Sequence, residues 1–261
     1  MRYTHMLAIE RHRKILAVLS KEGSVRVTEL SKRFNVTEET IRRDFGKLES
    51  QGKIVRSHGG AIMTEPEETL RPFAWREVAN ETEKAAIVQE AIKRINPNDS
   101  ILLDASTTAW HLAKRLEDIP LTVITNSLQI PIALANRNKI DVHILGGRMG
   151  KKSLSFIGPT TERQLHQYHV DKLFISCEGL DLKRGISDIS ENQAELRRIM
   201  ISCADKKYLL VDHSKFSVRS LAHICSLNIF DEIITDSNTD KSIINQLLEM
   251  QINTTVVKAS I

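Results

Sequence analysis

The sequence predicts an α/β chain in two parts: a small basic module of three short helices and a β-hairpin, then a larger domain on a mostly parallel sheet. Three observations predict it. Charge divides along the chain, with 13 Lys and Arg against 7 Asp and Glu in residues 1–60 and 24 against 26 in the rest. Before residue 50, apolar residues recur at helical spacing in three short segments. From Ser100 onward, short apolar runs alternate with amphipathic ones, the βαβα pattern of a parallel sheet covered by helices. A chain of 261 residues has room for both cores.

In "RHRKILAVLSKEG", Ile15, Leu16 and Leu19 share a helix face and Gly23 ends the helix. "VTELSKRF" gives a second helix, with Val27, Leu30 and Phe34 on one side. After Asn35 and Val36, Thr37 caps a third helix, and Glu38 and Glu39 suit its positive end. The short turn between the last two describes a helix-turn-helix over 26–45. In the third helix Ile41, Phe45 and Leu48 form the buried stripe. Arg42 and Arg43 lie about 100° and about 200° round from Ile41 and face away from the core. Asp44 falls nearer the stripe and is expected to make a hydrogen bond or ion pair inside the module. Gly46 costs about 1 kcal/mol relative to Ala in a helix interior; it is either a tolerated surface glycine or a point of close approach to DNA.

"KIVRSHGGAI" then reads as a hairpin wing around a glycine-bearing turn. The candidate DNA contacts are Thr37, Glu38, Glu39, Thr40, Arg42 and Arg43 on the helix, with Lys53, Arg56 and His58 on the wing. Base edges or phosphates are both open to the two helix arginines, whereas the wing cations suit phosphates. On charge alone, a solvated basic face is the alternative.

Pro66, Pro72 and several acids predict an exposed linker over 64–80, with a helical pattern from Ala74. It separates the module, 8–63, from the larger domain, 81–261. Ligands of such sheets bind at the carboxyl ends of the strands. One strand ends in "DASTTAW", where backbone N–H groups and the hydroxyls of Ser106, Thr107 and Thr108 make a phosphate cradle or, more simply, a helix cap. Others end in "TNS" with Asn126, "GGR" with Gly147, "SCEGLD" with Glu178 and Asp181, and "VDHSKF" with Lys215. Together they predict a site for a phosphate-sized anion. Lys215 pairs either with an anionic ligand or in a loop salt bridge. His166 and His169, at i and i+3, lack a third metal ligand and read as a solvated helix surface.

Cys177, Cys203 and Cys225 are odd in number and show no C-x-x-C spacing, which predicts no disulfide framework and a reducing cytoplasm. No apolar run approaches the ~20 residues of a membrane span, and "MRYTHMLAIERHRK" lacks the apolar core of a signal peptide.

"LSKRFNVTEETIRRDFGKLESQGKIVRSHGGA" resembles the signature of the DeoR family of bacterial transcriptional regulators. The later order of an aspartate with a Ser/Thr loop, TNS, GG, GLD, a Glu-bearing helix and D-x-S-K-F resembles that family's effector domain. The resemblance implies a winged helix-turn-helix joined to a sugar-phosphate-isomerase-like (Rossmann-like) domain. It further implies a non-enzymatic regulator of a carbohydrate operon that needs no cofactor, binds double-stranded operator DNA as a homo-oligomer, and answers to a phosphorylated sugar. Asp104, Ala105, Ser106, Thr107, Thr108, Asn126, Gly147 and Lys215 are the implied effector contacts. Two positions depart from the pattern: Ala105 stands where glycine is common, and Arg197, which forks, where lysine is usual. "LDASTTAWHLAKRL" and "LFISCEGLD" look more like the L-fucose operon activator branch, favouring a ketose 1-phosphate such as L-fuculose 1-phosphate. The rival reading is a sugar-phosphate isomerase or deaminase with an accessory DNA-binding domain, in which Glu178 and Asp181 act as general bases.

Overall fold

The computed structural model describes residues 6–22, 24–50, 53–57, 59–62 and 71–259. The chain divides into two compact units, Met1–Asn80 and Glu81–Ile261.

In the first unit, α1 (Ala8–Glu22) leads through β1 (Ser24–Arg26) into α2 (Val27–Phe34) and α3 (Glu38–Ser50). Ile15, Leu16 and Leu19 of α1 pack with Leu30, Ile41, Phe45 and Leu48, so the stripes expected from spacing meet in one core. Asn35 adopts φ 51° and ends α2, a left-handed conformation that asparagine tolerates. Thr37 caps α3, its Oγ1 accepting from the Thr40 N–H at 3.2 Å. Asp44 is buried: Arg11 donates to its two oxygens at 2.5 and 3.1 Å, and His12 Nε2 lies 2.8 Å away. This cluster ties α1 to α3.

The wing is β2 (Val55–Ser57) and β3 (Gly60–Ile62), antiparallel, with β1 added on the far side in the order β1-β3-β2. A Cβ on Gly60 would stand 2.4 Å from the Val25 carbonyl oxygen, so glycine lets β1 approach. The third strand was not expected, because three residues are too few to show alternation. The stretch expected to be an exposed linker carries the helical turn expected from Ala74, but that helix is docked. Within it, α4 (Phe73–Val78) is a helix whose Trp75 is buried in the core of this unit, its Nε1 donating to the Lys53 carbonyl at 2.7 Å. Its two aromatics, Phe73 and Trp75, favour burial over a solvated tether.

Gly46 borders open space, since a Cβ there meets nothing within 4 Å. Gly46→Ala is therefore expected to stabilise this unit by about 1 kcal/mol, read as a raised unfolding midpoint. Unchanged operator affinity in that variant dismisses close DNA approach at Gly46.

The second unit opens with α5 (Glu81–Ala91), then β4 (Ser100–Leu103), α6 (Thr107–Arg115), β5 (Leu121–Thr125), α7 (Gln129–Leu134) and β6 (Ile140–Ile144). A hairpin, β7 (Arg148–Gly150) and β8 (Ser155–Ile157), precedes α8 (Pro159–Leu165) and β9 (Val170–Ile175). There follow β10 (Gly179–Asp181), β11 (Gly185–Asp188), α9 (Glu191–Ser202), β12 (Ala204–Leu210), β13 (Ala222–Cys225), β14 (Glu232–Asp236), α10 (Lys241–Glu249) and β15 (Thr254–Val257). Seven strands form one parallel sheet in the order β15-β14-β12-β9-β4-β5-β6, and β10-β11-β13 form a small antiparallel sheet.

Side chains alternate between two cores. Ile101 and Leu103 pack with α5, α6 and α7, while Leu102 packs with residues of α8, α9 and α10. From β4 the chain winds outward to β6, then returns to lay β9 on the other side of β4. The direction of winding therefore reverses between β4 and β9, and a crevice opens beyond the carboxyl ends of strands at such a point. No helix among the described residues is long and apolar enough to cross a membrane.

Candidate functional site

In the N-terminal unit, the residues on α3 that do not pack inward are held in different ways. Arg42 is exposed and pairs with Glu38 at 2.7 Å and Glu39 at 3.8 Å, one turn back on its own helix. Such exposed pairs are worth little and exchange readily for a phosphate or a base edge. Arg43 is exposed and makes no ion pair among the described residues. The hydroxyls of Thr37 and Thr40 bond each other at 2.8 Å at the head of the helix. On the wing, the Arg56 side chain donates to Glu49 at 2.7 Å and its backbone N–H to the same carboxylate at 3.0 Å. These two hydrogen bonds hold the Glu49 carboxyl below its ordinary range and strap β2 to the end of α3. Lys53 is partly exposed at the start of the wing, and His58 lies outside the described residues.

In the C-terminal unit, the expected strand ends do line one edge of the sheet. Asp104 follows β4 and is 1% exposed. Arg197 of α9 donates to its Oδ2 from Nε at 3.0 Å and Nη2 at 2.9 Å, and its Nη1 bonds Asp188 at the end of β11. Asp104 Oδ1 accepts from the Ser106 N–H at 3.1 Å, and Oδ2 also takes the Ser176 N–H beyond β9 at 3.4 Å. Burial works against the charge on Arg197, but Asp188 and Asp104 outweigh it and raise its pKa. Asp104 is thus an internal brace across β4, β9, β11 and α9, with its oxygens already engaged.

The Ser106 hydroxyl caps α6, accepting from the Ala109 N–H at 3.0 Å. Ala105, Thr107 and Thr108 are buried beside it. Beyond β5, Asn126 Nδ2 donates to the Phe156 carbonyl at 3.0 Å, while its Oδ1 is buried without a partner among the described residues. A buried acceptor left unmet is costly and calls for a donor. Gly147 adopts φ +148°, and a Cβ there would stand 2.2 Å from Thr161 Oγ1. Close packing against α8 therefore demands the glycine.

On the other side of β4, Lys215 Nζ lies 3.2 Å from Glu178 Oε2. Burial lowers the Lys215 pKa, yet the Glu178 and Asp212 carboxylates prevail and hold it raised. The Lys215 ammonium is thus held by the Glu178 carboxylate at the carboxyl edge of the sheet. Asp181 is placed differently from the expected effector contact. Its carboxylate closes the β10–β11 turn, accepting from the Lys183 and Arg184 N–H groups at 3.0 and 2.9 Å and from Arg219 at 2.7 Å. His169 pairs with Asp205 at 2.9 Å on the surface.

Sequence reasoning missed Asp188 and the chain from Gln193 to Ser155 and Ser153, linked at 2.7 Å each. An aspartate between the isoleucines of "GISDIS" was the available signal, since a charge in a buried strand needs a partner.

Residues 11–67 match the DeoR-like helix-turn-helix domain, and residues 79–237 match the DeoR C terminal sensor domain. The HTH-type transcriptional regulator YulB of Bacillus subtilis (strain 168) is 47% identical over 255 residues, covering 98% of this chain and 99% of its own. The L-fucose operon activator of Haemophilus influenzae is 36% identical over 222 residues, covering 85% and 89%. Ribose 5-phosphate isomerase A of Methanocaldococcus jannaschii superposes with a TM-score of 0.39 and 19% identity over 52% of this chain and 55% of its own.

Proposed function

This chain belongs to the DeoR family of transcriptional regulators, and from that premise we propose that its first unit reads an operator and its second senses a phosphorylated sugar. The observation that carries the first half is α3, capped at Thr37, with Arg43 exposed and unpaired among the described residues. Its amino-terminal half presents Thr37 to Thr40 and the two arginines to the major groove, and the wing cations Lys53 and Arg56 meet phosphates. A second copy on a paired half-site completes the reader.

For the sensor, the proposed contacts are the α6 N-terminus at Thr107 and Thr108 for the phosphate, Asn126 Oδ1 for a sugar hydroxyl, and Lys215 for charge. Asp104 and Gly147 shape the site, and Glu178 sets Lys215. A ketose 1-phosphate is the proposed effector, in keeping with the fucose-operon relative, and the cytoplasm is the proposed compartment.

Selection of bound duplexes from a random pool tests the reader. Two half-sites about one helical turn apart are expected. The Arg42→Ala, Arg43→Ala double variant is expected to weaken binding by about 2–6 kcal/mol, and Lys53→Ala to reduce the salt slope by about 1. Unchanged binding in the double variant removes α3 as the reading helix. For the sensor, a thermal-shift series of sugar phosphates should raise the melting temperature by mass action. Turnover of such a compound would favour the enzymatic alternative.

A further inference from the structure

The outer edge of the parallel sheet ends at β6, whose only strand partner among the described residues is β5. We propose that β6 is the seam on which two copies of this chain join, strand to antiparallel strand, about a twofold axis through Val142. The inference rests on the reading of the chain as a paired regulator for the existence of a second copy, and it specifies the surface.

Backbone geometry supports this register. The Leu145 N–H donates to the Thr125 carbonyl at 2.9 Å, and the Lys139 carbonyl accepts from the Leu121 N–H at 3.3 Å. Residues 139 and 145 therefore face β5. By the two-residue alternation of a strand, 141 and 143 face it too, and Ile140, Val142 and Ile144 turn their N–H and C=O groups outward. Two copies paired about Val142 exchange bonds between the two Val142 residues and between each Ile140 and the partner's Ile144. All three outward residues are then satisfied in a narrow-pair ladder.

Side chains fit the same register. Asp141 falls opposite the partner's His143 in a non-hydrogen-bonded pair, where cross-strand side chains come nearest. Within one copy Asp141 and His143 already lie 3.0 Å apart, with 75% and 39% of their side chains exposed. Pairing would set two carboxylates against two imidazoles in one cluster. Ile144 is 51% exposed, while Ile140 at the other end is 7% exposed. The antiparallel match brings each exposed isoleucine over the partner's Ile140. The strand "IDVHI" is thus self-complementary in both apolar and polar positions, as a twofold interface requires. The opposite edge, β15, reads "TTVV" and offers no complementary charge.

Sedimentation of the full chain over a concentration series tests the seam. Asp141→Lys is expected to weaken self-association by about tenfold or more through two lost cross-strand pairs. The swapped variant, Asp141→His with His143→Asp, is expected to restore it to within about threefold. Val142→Pro removes an outward N–H without touching the bonds to β5, so a folded chain of half the parent's mass is expected. Self-association unchanged in Asp141→Lys and Val142→Pro overturns the seam while leaving the paired regulator intact. A parent chain that stays monomeric on operator DNA overturns both.

Discussion

Arg197→Ala is expected to destabilise the sensor unit by about 3–5 kcal/mol, the usual cost of removing one partner from a buried ion cluster. Arg197 is 6% exposed and its guanidinium sits between Asp104 and Asp188, both 1% exposed. Without it, two carboxylates share a dry site with no cation between them. Urea unfolding followed by circular dichroism measures the change; a loss below about 1 kcal/mol would show that water or another cation replaces the arginine. Arg197→Lys keeps the charge but cannot fork to both carboxylates, so an intermediate loss is expected. Arg197→Met combined with Asp104→Asn and Asp188→Asn removes all three charges and is expected to recover part of the stability, the remainder being lost because an amide nitrogen cannot accept the backbone N–H that an Asp104 oxygen accepts. Because Asp104 begins the loop into α6, the single alanine variant is also expected to lose the thermal response to sugar phosphates.

The second large effect is expected in the DNA-reading unit. Asp44→Ala leaves Arg11 buried without its carboxylate, again a loss of about 3–5 kcal/mol. In a unit whose core comes from three short helices, α4 and a small sheet, that is a large part of the total stability. Operator binding is expected to vanish through unfolding. The sensor's response to sugar phosphates is expected to persist. Arg43→Ala supplies the contrast, weakening binding while leaving the unfolding midpoint within about 0.5 kcal/mol of the parent. If Asp44→Ala bound operator normally, the buried pair would not be what holds α1 to α3.

Much of this arrangement could be read from spacing. Ile41, Phe45 and Leu48 gave α3 its inward face, and placing Arg42 and Arg43 followed from 3.6 residues per turn. The two arginines nevertheless differ, since Arg42 is paired with Glu38 and Arg43 is not. That difference depends on side-chain rotamers, which periodicity does not encode. At the sensor edge Ser106 caps a helix, the simpler of the two readings of its loop, whereas Asp181 closes a hairpin that spacing did not indicate. Short polar residues after a strand satisfy local backbone groups as readily as a ligand. The docking of α4 on the first unit escaped notice because prolines and acids around it have the composition of a tether.

By itself, the sequence determined the three helices and the wing of the first unit, the strand–helix alternation of the second, and which loops gather at the carboxyl edge of its parallel sheet. Those features depend on near neighbours along the chain, and the period of the apolar residues reports them. Only the tertiary structure decided the partners of the buried charges. Arg197 reaches Asp104 across 93 positions and Arg11 reaches Asp44 across 33. Crossovers of the parallel sheet bring the first pair together and the packing of α1 on α3 the second, and a buried charge takes whichever counter-charge the packing delivers to it.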